Sequence, residues 1–192
     1  MLNQPGVNVD SDVTNKTRVL ESLQENTVDF AMISVLPPKL NINAIPLIKN
    51  QIHLVAAADY PKLPKRMNAK KLGDYPLIFR EEGSATRSVM QNFLKSNNIQ
   101  VKRSMTMVSN EAVKQAVRAG LGLSIMPIIG IRTEIKLGNI VRIPIKGLPF
   151  ETEWNLVFMK GKKLSPAAKA MIAYVEENRE RISQLHFAET MR

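Results

Sequence analysis

Short apolar stretches alternate with amphipathic ones along nearly the whole chain, and that alternation limits the available folds more than any other feature. Val7, Val9, Ser11 and Val13 alternate like a half-buried strand. Residues 15–27 place Val19, Leu20 and Leu23 on one helical face, and residues 29–34 form a short apolar strand. Two further strands are expected at 44–49 and 52–58, before Pro61 and Pro64 interrupt the pattern. A short helix at 69–72, a strand at 76–80 and a helix at 84–96 follow. Next come a strand at 101–107, a helix at 111–119, a buried strand at 123–126 and a helix at 128–136. Strands at 140–145 and 154–159 lead into a last helix, with Ser165 as N-cap, Pro166 at its first position and an apolar stripe of Met171, Tyr174, Val175 and Ile182. Such alternation predicts an α/β protein with mainly parallel sheets and helices on both faces. Val7, Asn15 and Asp29 are echoed by Val101, Ser109 and Leu123, each 94 residues later (101 − 7 = 94), as two similarly built halves would require.

Composition narrows the function. The chain has 192 residues, 44% of them hydrophobic, enough for one or two domains with a real core. No run approaches the ~18 apolar residues that span a bilayer. The first residues lack the basic start and apolar centre of a signal peptide, so a cytoplasmic protein with no membrane partner is expected. There is no cysteine, which removes disulfides and thiolate chemistry. The net charge of +10 reads either as a soluble basic surface or as attraction to nucleic acid or anionic ligands. Few aromatics accompany the basic clusters at Lys62, Lys65, Arg66, Lys70, Lys71 and at Lys160, Lys162, Lys163, which argues against a stacking surface for single strands.

Catalytic groups are scarce. His53 lies inside an apolar strand and His186 in the tail, with no carboxylates gathered at metal-ligand spacing. No serine has an evident histidine and acid partner, so neither an enzyme nor a metal site nor a cofactor is expected. Gly120-Leu121-Gly122 follows a helix instead of opening one, and reads as a helix C-cap. Three strand-to-helix turns are more informative. Thr14-Asn15-Lys16-Thr17, Gly83-Ser84-Ala85-Thr86 and Ser109-Asn110-Glu111 each put small hydroxyl or amide side chains at a helix start. Each alone is explained by capping. Together they suit a shared site, because helix starts present free N–H groups to anions and open α/β sheets bind ligands at this edge.

Three stretches carry a family resemblance: residues 5–32, residues 76–87 (Pro-Leu-Ile-Phe-Arg-Glu-Glu-Gly-Ser-Ala-Thr-Arg) and residues 110–127, which end Ala-Gly-Leu-Gly-Leu-Ser-Ile-Met-Pro. In these the chain resembles the effector-binding (substrate-binding) domain of LysR-type transcriptional regulators. The resemblance implies two Rossmann-like lobes, class II periplasmic-binding-protein-like, joined by two crossover strands near residues 56–60 and 140–145. Lobe I is then residues 1–57 with 146–192, lacking the family's first strand, and lobe II residues 58–145. A small metabolite, often a carboxylate or other anion, is expected between the lobes. By position, Asn15, Thr17, Ser84, Thr86, Ser109, Asn110 and Met126 match its walls. The family further implies homodimers and DNA contact only through a helix-turn-helix domain outside this stretch. The competing expectation is a solute-binding protein of a transporter, which shares the fold.

Overall fold

In the computed structural model, residues 6–187 are described. The architecture is α/β and is organised by one long strand. Helix α1 (Lys16–Gln24) leads to strand β1 (Ala31–Ile33), and the chain then enters β2 (Ile42–Ala57). The short α2 (Ala69–Leu72), β3 (Leu77–Arg80), α3 (Ala85–Ser96), β4 (Ser104–Met107), α4 (Asn110–Arg118) and β5 (Ser124–Pro127) follow. After a 3-10 turn at Ile128–Gly130 come α5 (Arg132–Lys136), β6 (Ile140–Arg142), β7 (Phe150–Met159) and α6 (Pro166–Phe187).

The two strands expected at 44–49 and 52–58 are a single strand of 16 residues, irregular between Pro46 and Ile48. The polar pair Asn50-Gln51 suggests a break, but β2 carries Asn50 through the sheet with its carboxamide satisfied. Asn50 Nδ2 donates to Thr152 Oγ1 at 3.3 Å, and Asn50 Oδ1 accepts from the Ile129 N–H at 3.4 Å. The first half of β2 pairs with β7 from Ile42↔Met159 to Ile52↔Phe150, and β7 pairs on its other side with β1. The last residues of β2 pair with β5 (Ile52↔Pro127 to Val55↔Ser124) and with β6 (Val55↔Arg142 to Ala57↔Ile140). All these ladders are antiparallel, which corrects the expected mainly parallel sheets. The reason is that β2 is long: β7 runs against its first part and β5 and β6 against its last residues, while β1 runs against β7. Parallel pairing is confined to β3 with β4 and to isolated bridges such as Leu77↔Leu123.

Residues 7–13 form no strand. Val9 and Val13 are 62% and 93% exposed. Three valines spaced among Asn8, Asp10, Ser11 and Asp12 have the right alternation, but alternation stabilises a strand only when a neighbouring backbone supplies a ladder. The stripe expected along the last helix is also corrected: Met171 and Tyr174 are 43% and 49% exposed. The helix expected at 128–136 is divided at Ile131, whose side chain is buried.

Three apolar clusters hold the molecule together. One gathers Leu54, Leu72, Leu77, Met90, Leu123 and Ile125 between α2, α3 and the strands. A second gathers Val55, Ile78, Val117, Met126, Ile131 and Ile140 beneath α4 and α5. The third, under α1, has only Leu23, Ile33 and Val157 fully buried. The turn after α4 closes as the sequence implies: Gly120 sits at φ +72, Gly120 N–H donates to Val117 O at 2.9 Å and Leu121 N–H to Ala116 O at 3.1 Å, a Schellman cap.

Candidate functional site

The start of α1 and the turn between β3 and α3 are brought together by one glycine. Thr17 N–H donates to Gly83 O at 3.3 Å, and Thr17 Oγ1 lies 3.5 Å from the same oxygen. Gly83 has φ +82, a conformation that only glycine adopts readily. Beside this junction lies a cleft of about 90 Å³, room for several waters or a small ligand. Its walls include Thr14, Asn15 and Lys16 at the start of α1, Arg80, Ser84 and Thr86 from β3–α3, and Asn110 at the start of α4. Asn50 and Ile52 of β2, Pro127 of β5, Trp154 of β7 and the end of β1 at Met32 and Ile33 also line it.

Each helix start is built by its cap. Asn15 Oδ1 accepts from the Arg18 N–H at 3.2 Å, and Ser84 Oγ from the Arg87 N–H at 3.5 Å. Ser109 Oγ accepts from the Ala112 N–H at 3.0 Å. A hydroxyl used as a cap acceptor keeps its own proton to donate, so Ser84, which is 3% exposed, can cap α3 and still offer an O–H. Of the seven residues singled out in the sequence, Asn15, Ser84, Thr86 and Asn110 line this cleft. Thr17 is outside it and fastens α1 to Gly83. Ser109 caps α4 from behind Asn110. Met126 packs into the second apolar cluster, 1% exposed, and its neighbour Pro127 faces the cleft instead.

The charges of the Arg80-to-Arg87 segment are already engaged. Arg80 grips Glu81 with two nitrogens, at 2.7 and 2.9 Å. Arg87 pairs with Glu82, donates to Arg80 O at 2.6 Å and stacks on the Phe79 ring at 5.4 Å, so it ties α3 to the end of β3. Burial pushes the Glu81 carboxyl up, but hydrogen bonds and the charge of Arg80, a backbone N–H and the Asn15 side chain outweigh it and hold the group below its ordinary range. Lys16 differs. It has no salt bridge among those found in the described residues, and desolvation lowers its pKa. The cleft therefore offers an anion one uncompensated ammonium, several hydroxyl and amide groups and three helix starts.

Sequence reasoning missed Lys16, Asn50, Arg80 and Trp154 as cleft residues. Asn50 had a signal, a polar residue inside an otherwise apolar strand, and Lys16 and Arg80 stand within the segments already singled out. Trp154 is the sole tryptophan of the chain, but nothing in the local pattern says that β7 turns it toward the helix starts.

Fold and cleft together define a ligand-binding α/β domain without a catalytic constellation among the described residues. The chain matches the family model for the LysR substrate binding domain over residues 1–180 and belongs to that family. It is 35% identical over 171 residues to a RuBisCO operon transcriptional regulator of Allochromatium vinosum, covering 88% of this chain and 57% of that one. It is 31% identical over 180 residues to the HTH-type transcriptional activator CmpR of Synechocystis, covering 93% and 59%. The chain thus spans under three-fifths of the length of these relatives. Among solved structures, the Synechocystis CcmR regulatory domain in complex with 2-PG superposes with a TM-score of 0.81 at 28% identity, over 91% of this chain and 84% of that one. The effector binding domain of QuiR in complex with shikimate matches in fold, with a TM-score of 0.71 at 24% identity, over 90% and 80%. The fold is the periplasmic-binding-protein-like fold of LysR regulatory domains, and the named relatives are regulators, not transporter components.

Proposed function

We propose that this chain is the effector-sensing part of a cytoplasmic LysR-type regulator and that its cleft takes a small anion, a carboxylate or a phosphate ester. The observation that carries this reading is the uncompensated Lys16 beside the helix starts at Asn15 and Ser84, in one cleft. A desolvated ammonium and free N–H groups favour negative charge. The CcmR domain similar to this chain was solved in complex with 2-PG, which supports a small-molecule ligand. Asn15, Ser84, Thr86 and Asn110 are the proposed contacts, with Lys16 added, while Thr17, Ser109 and Met126 shape the walls from behind.

Residues 1–57 with 146–192 form the proposed first lobe and residues 58–145 the second, with β2 as one connection. Enzymatic activity is not part of the proposal, since the cleft holds no acid, base or nucleophile arranged for chemistry. Sequence-specific DNA contact is assigned to a helix-turn-helix part of the regulator outside these residues, and pairing of two copies completes the assembly. Calorimetry with 2-PG, inorganic phosphate and a panel of small carboxylates tests the site. A bound ligand at 100 times its Kd stabilises the fold by about 2.7 kcal/mol, and Thr86→Val should weaken binding while leaving the fold intact. No heat and no thermal shift with any anion of the panel would refute the proposal.

A further inference from the structure

Trp154, which lines the cleft, carries a buried donor with no hydrogen-bond partner in the protein. Strand β7 places Trp154 opposite Ile48 of β2 and against the cleft. Its indole Nε1 has less than 1 Å² of accessible surface and no hydrogen-bond partner in the protein. Indole N–H is a donor only, so neither a ring flip nor a change of tautomer relieves it. Buried polar groups are paired in the great majority of cases, and each exception calls for a cause. Asn50, a buried polar residue of the same cleft, shows the ordinary case. It is 3% exposed and both ends of its carboxamide are engaged, on Thr152 and Ile129. Trp154 has no such internal explanation. Asn110 Oδ1 is also buried and unpaired in this cleft, but a carboxamide can turn either end to a ligand and so reads its partner less strictly.

We infer that Trp154 is a specificity residue of the effector site, donating its indole N–H to an acceptor oxygen of the ligand. The inference rests on the proposed anion site and narrows its ligand class. One oxygen group of the effector is balanced by Lys16 and the helix starts, and a second acceptor oxygen reaches Trp154. Small anions with two separated acceptor groups, such as dicarboxylates or phosphate esters bearing a carboxylate, meet both demands, whereas a halide meets one. Because Nε1 is closed to water, the cleft walls must part slightly to admit that oxygen, so the pairing is made only on binding.

The test uses the sole tryptophan. Trp154 is replaced by β-(3-benzothienyl)alanine, which keeps the bicyclic shape and exchanges N–H for sulfur, and separately by Trp154→Phe. Binding of 2-PG is then measured by calorimetry beside the wild-type chain and Thr86→Val, with circular dichroism to verify folding. Affinity in the benzothienyl chain should fall about tenfold, as loss of a hydrogen bond to a charged acceptor implies, and its thermal midpoint without ligand should not fall. Wild-type tryptophan fluorescence should change on titration with 2-PG. If wild type binds and Thr86→Val weakens binding, but the benzothienyl chain binds as wild type does, this inference fails and the anion site stands. If wild type binds no anion of the panel, the anion site fails and this inference falls with it. A Trp154→Phe chain that does not fold leaves the decision to the benzothienyl chain.

Discussion

Gly83 joins the two halves of the cleft wall, and replacing it by alanine has a calculable effect. At φ +82 an alanine pays the left-handed backbone penalty, roughly 1 kcal/mol. Its Cβ would also stand 2.8 Å from Thr17 Oγ1 and 3.1 Å from Asn15 Oδ1, closer than such atoms normally approach. Relieving that contact pushes the start of α1 off the turn and adds roughly 1 kcal/mol or more, in the range of other overpacking changes. Gly138 is the internal control, with φ +73 and nothing within 4 Å of the added carbon, so Gly138→Ala carries the backbone penalty alone. Urea denaturation should therefore show a loss of roughly 2 kcal/mol for Gly83→Ala and roughly 1 kcal/mol for Gly138→Ala. Thermal midpoints should fall by roughly 4–8 °C and 2–4 °C for a chain of this size. Only Gly83→Ala should also weaken anion binding, because only it displaces Asn15. Equal losses in the two variants, with equal affinities, would refute the claim that Gly83 sets the spacing of α1 and α3.

Three further outcomes follow from the same geometry. Lys16→Met should weaken anion binding at low salt by about tenfold and flatten its dependence on ionic strength, measured by titration at several salt concentrations; an unchanged salt slope would mean that another cation neutralises the ligand. Glu81, held below its ordinary value of 4.5, should contribute stability that is fully present above that value and lost as pH falls through its lower folded value. Glu81→Gln should remove this part of the acid dependence in denaturation curves taken across acid pH, and curves that stay parallel to wild type would show that the Arg80 pair is energetically silent. Amides of residues 16–33, over a cluster with three fully buried side chains, should exchange with deuterium faster than those of residues 104–127, which flank the larger clusters. Equal protection in a monomer would contradict the weak first cluster.

What the sequence disclosed was mostly local. Caps at Asn15, Ser84, Ser109 and Ser165 were legible because a short polar side chain before an amphipathic run has one common use, and all four accept the expected N–H. The short α2 was equally plain between Asn68 and Gly73. Pairing was not. The residues of β2 look like two strands because Asn50 and Gln51 interrupt the apolar run, and only the ladder with β7 makes them one. At residues 7–13 the opposite happens, and a good alternation finds no partner. The site divides in the same way. Asn15, Ser84, Thr86 and Asn110 follow from helix starts, whereas Trp154 reaches the cleft from a strand more than a hundred residues from Asn50 in the chain, so nothing local announces it. Met126 went the other way, since it points into packing and the next residue of the strand, Pro127, lines the cleft.

The length of β2 has a mechanical meaning. Ile52 is bonded in register to Phe150 on one side and Pro127 on the other, and it also forms part of the cleft wall. A tilt of a strand so held would pivot beside the candidate cleft. From Ile52 to Ile42 the arm is roughly 30 Å at about 3.3 Å per residue, so a tilt of roughly 5° at that pivot carries the far end through roughly 2–3 Å. A small rearrangement around a ligand at Ile52 would thereby reach the far end of β2 without any unfolding or loop movement.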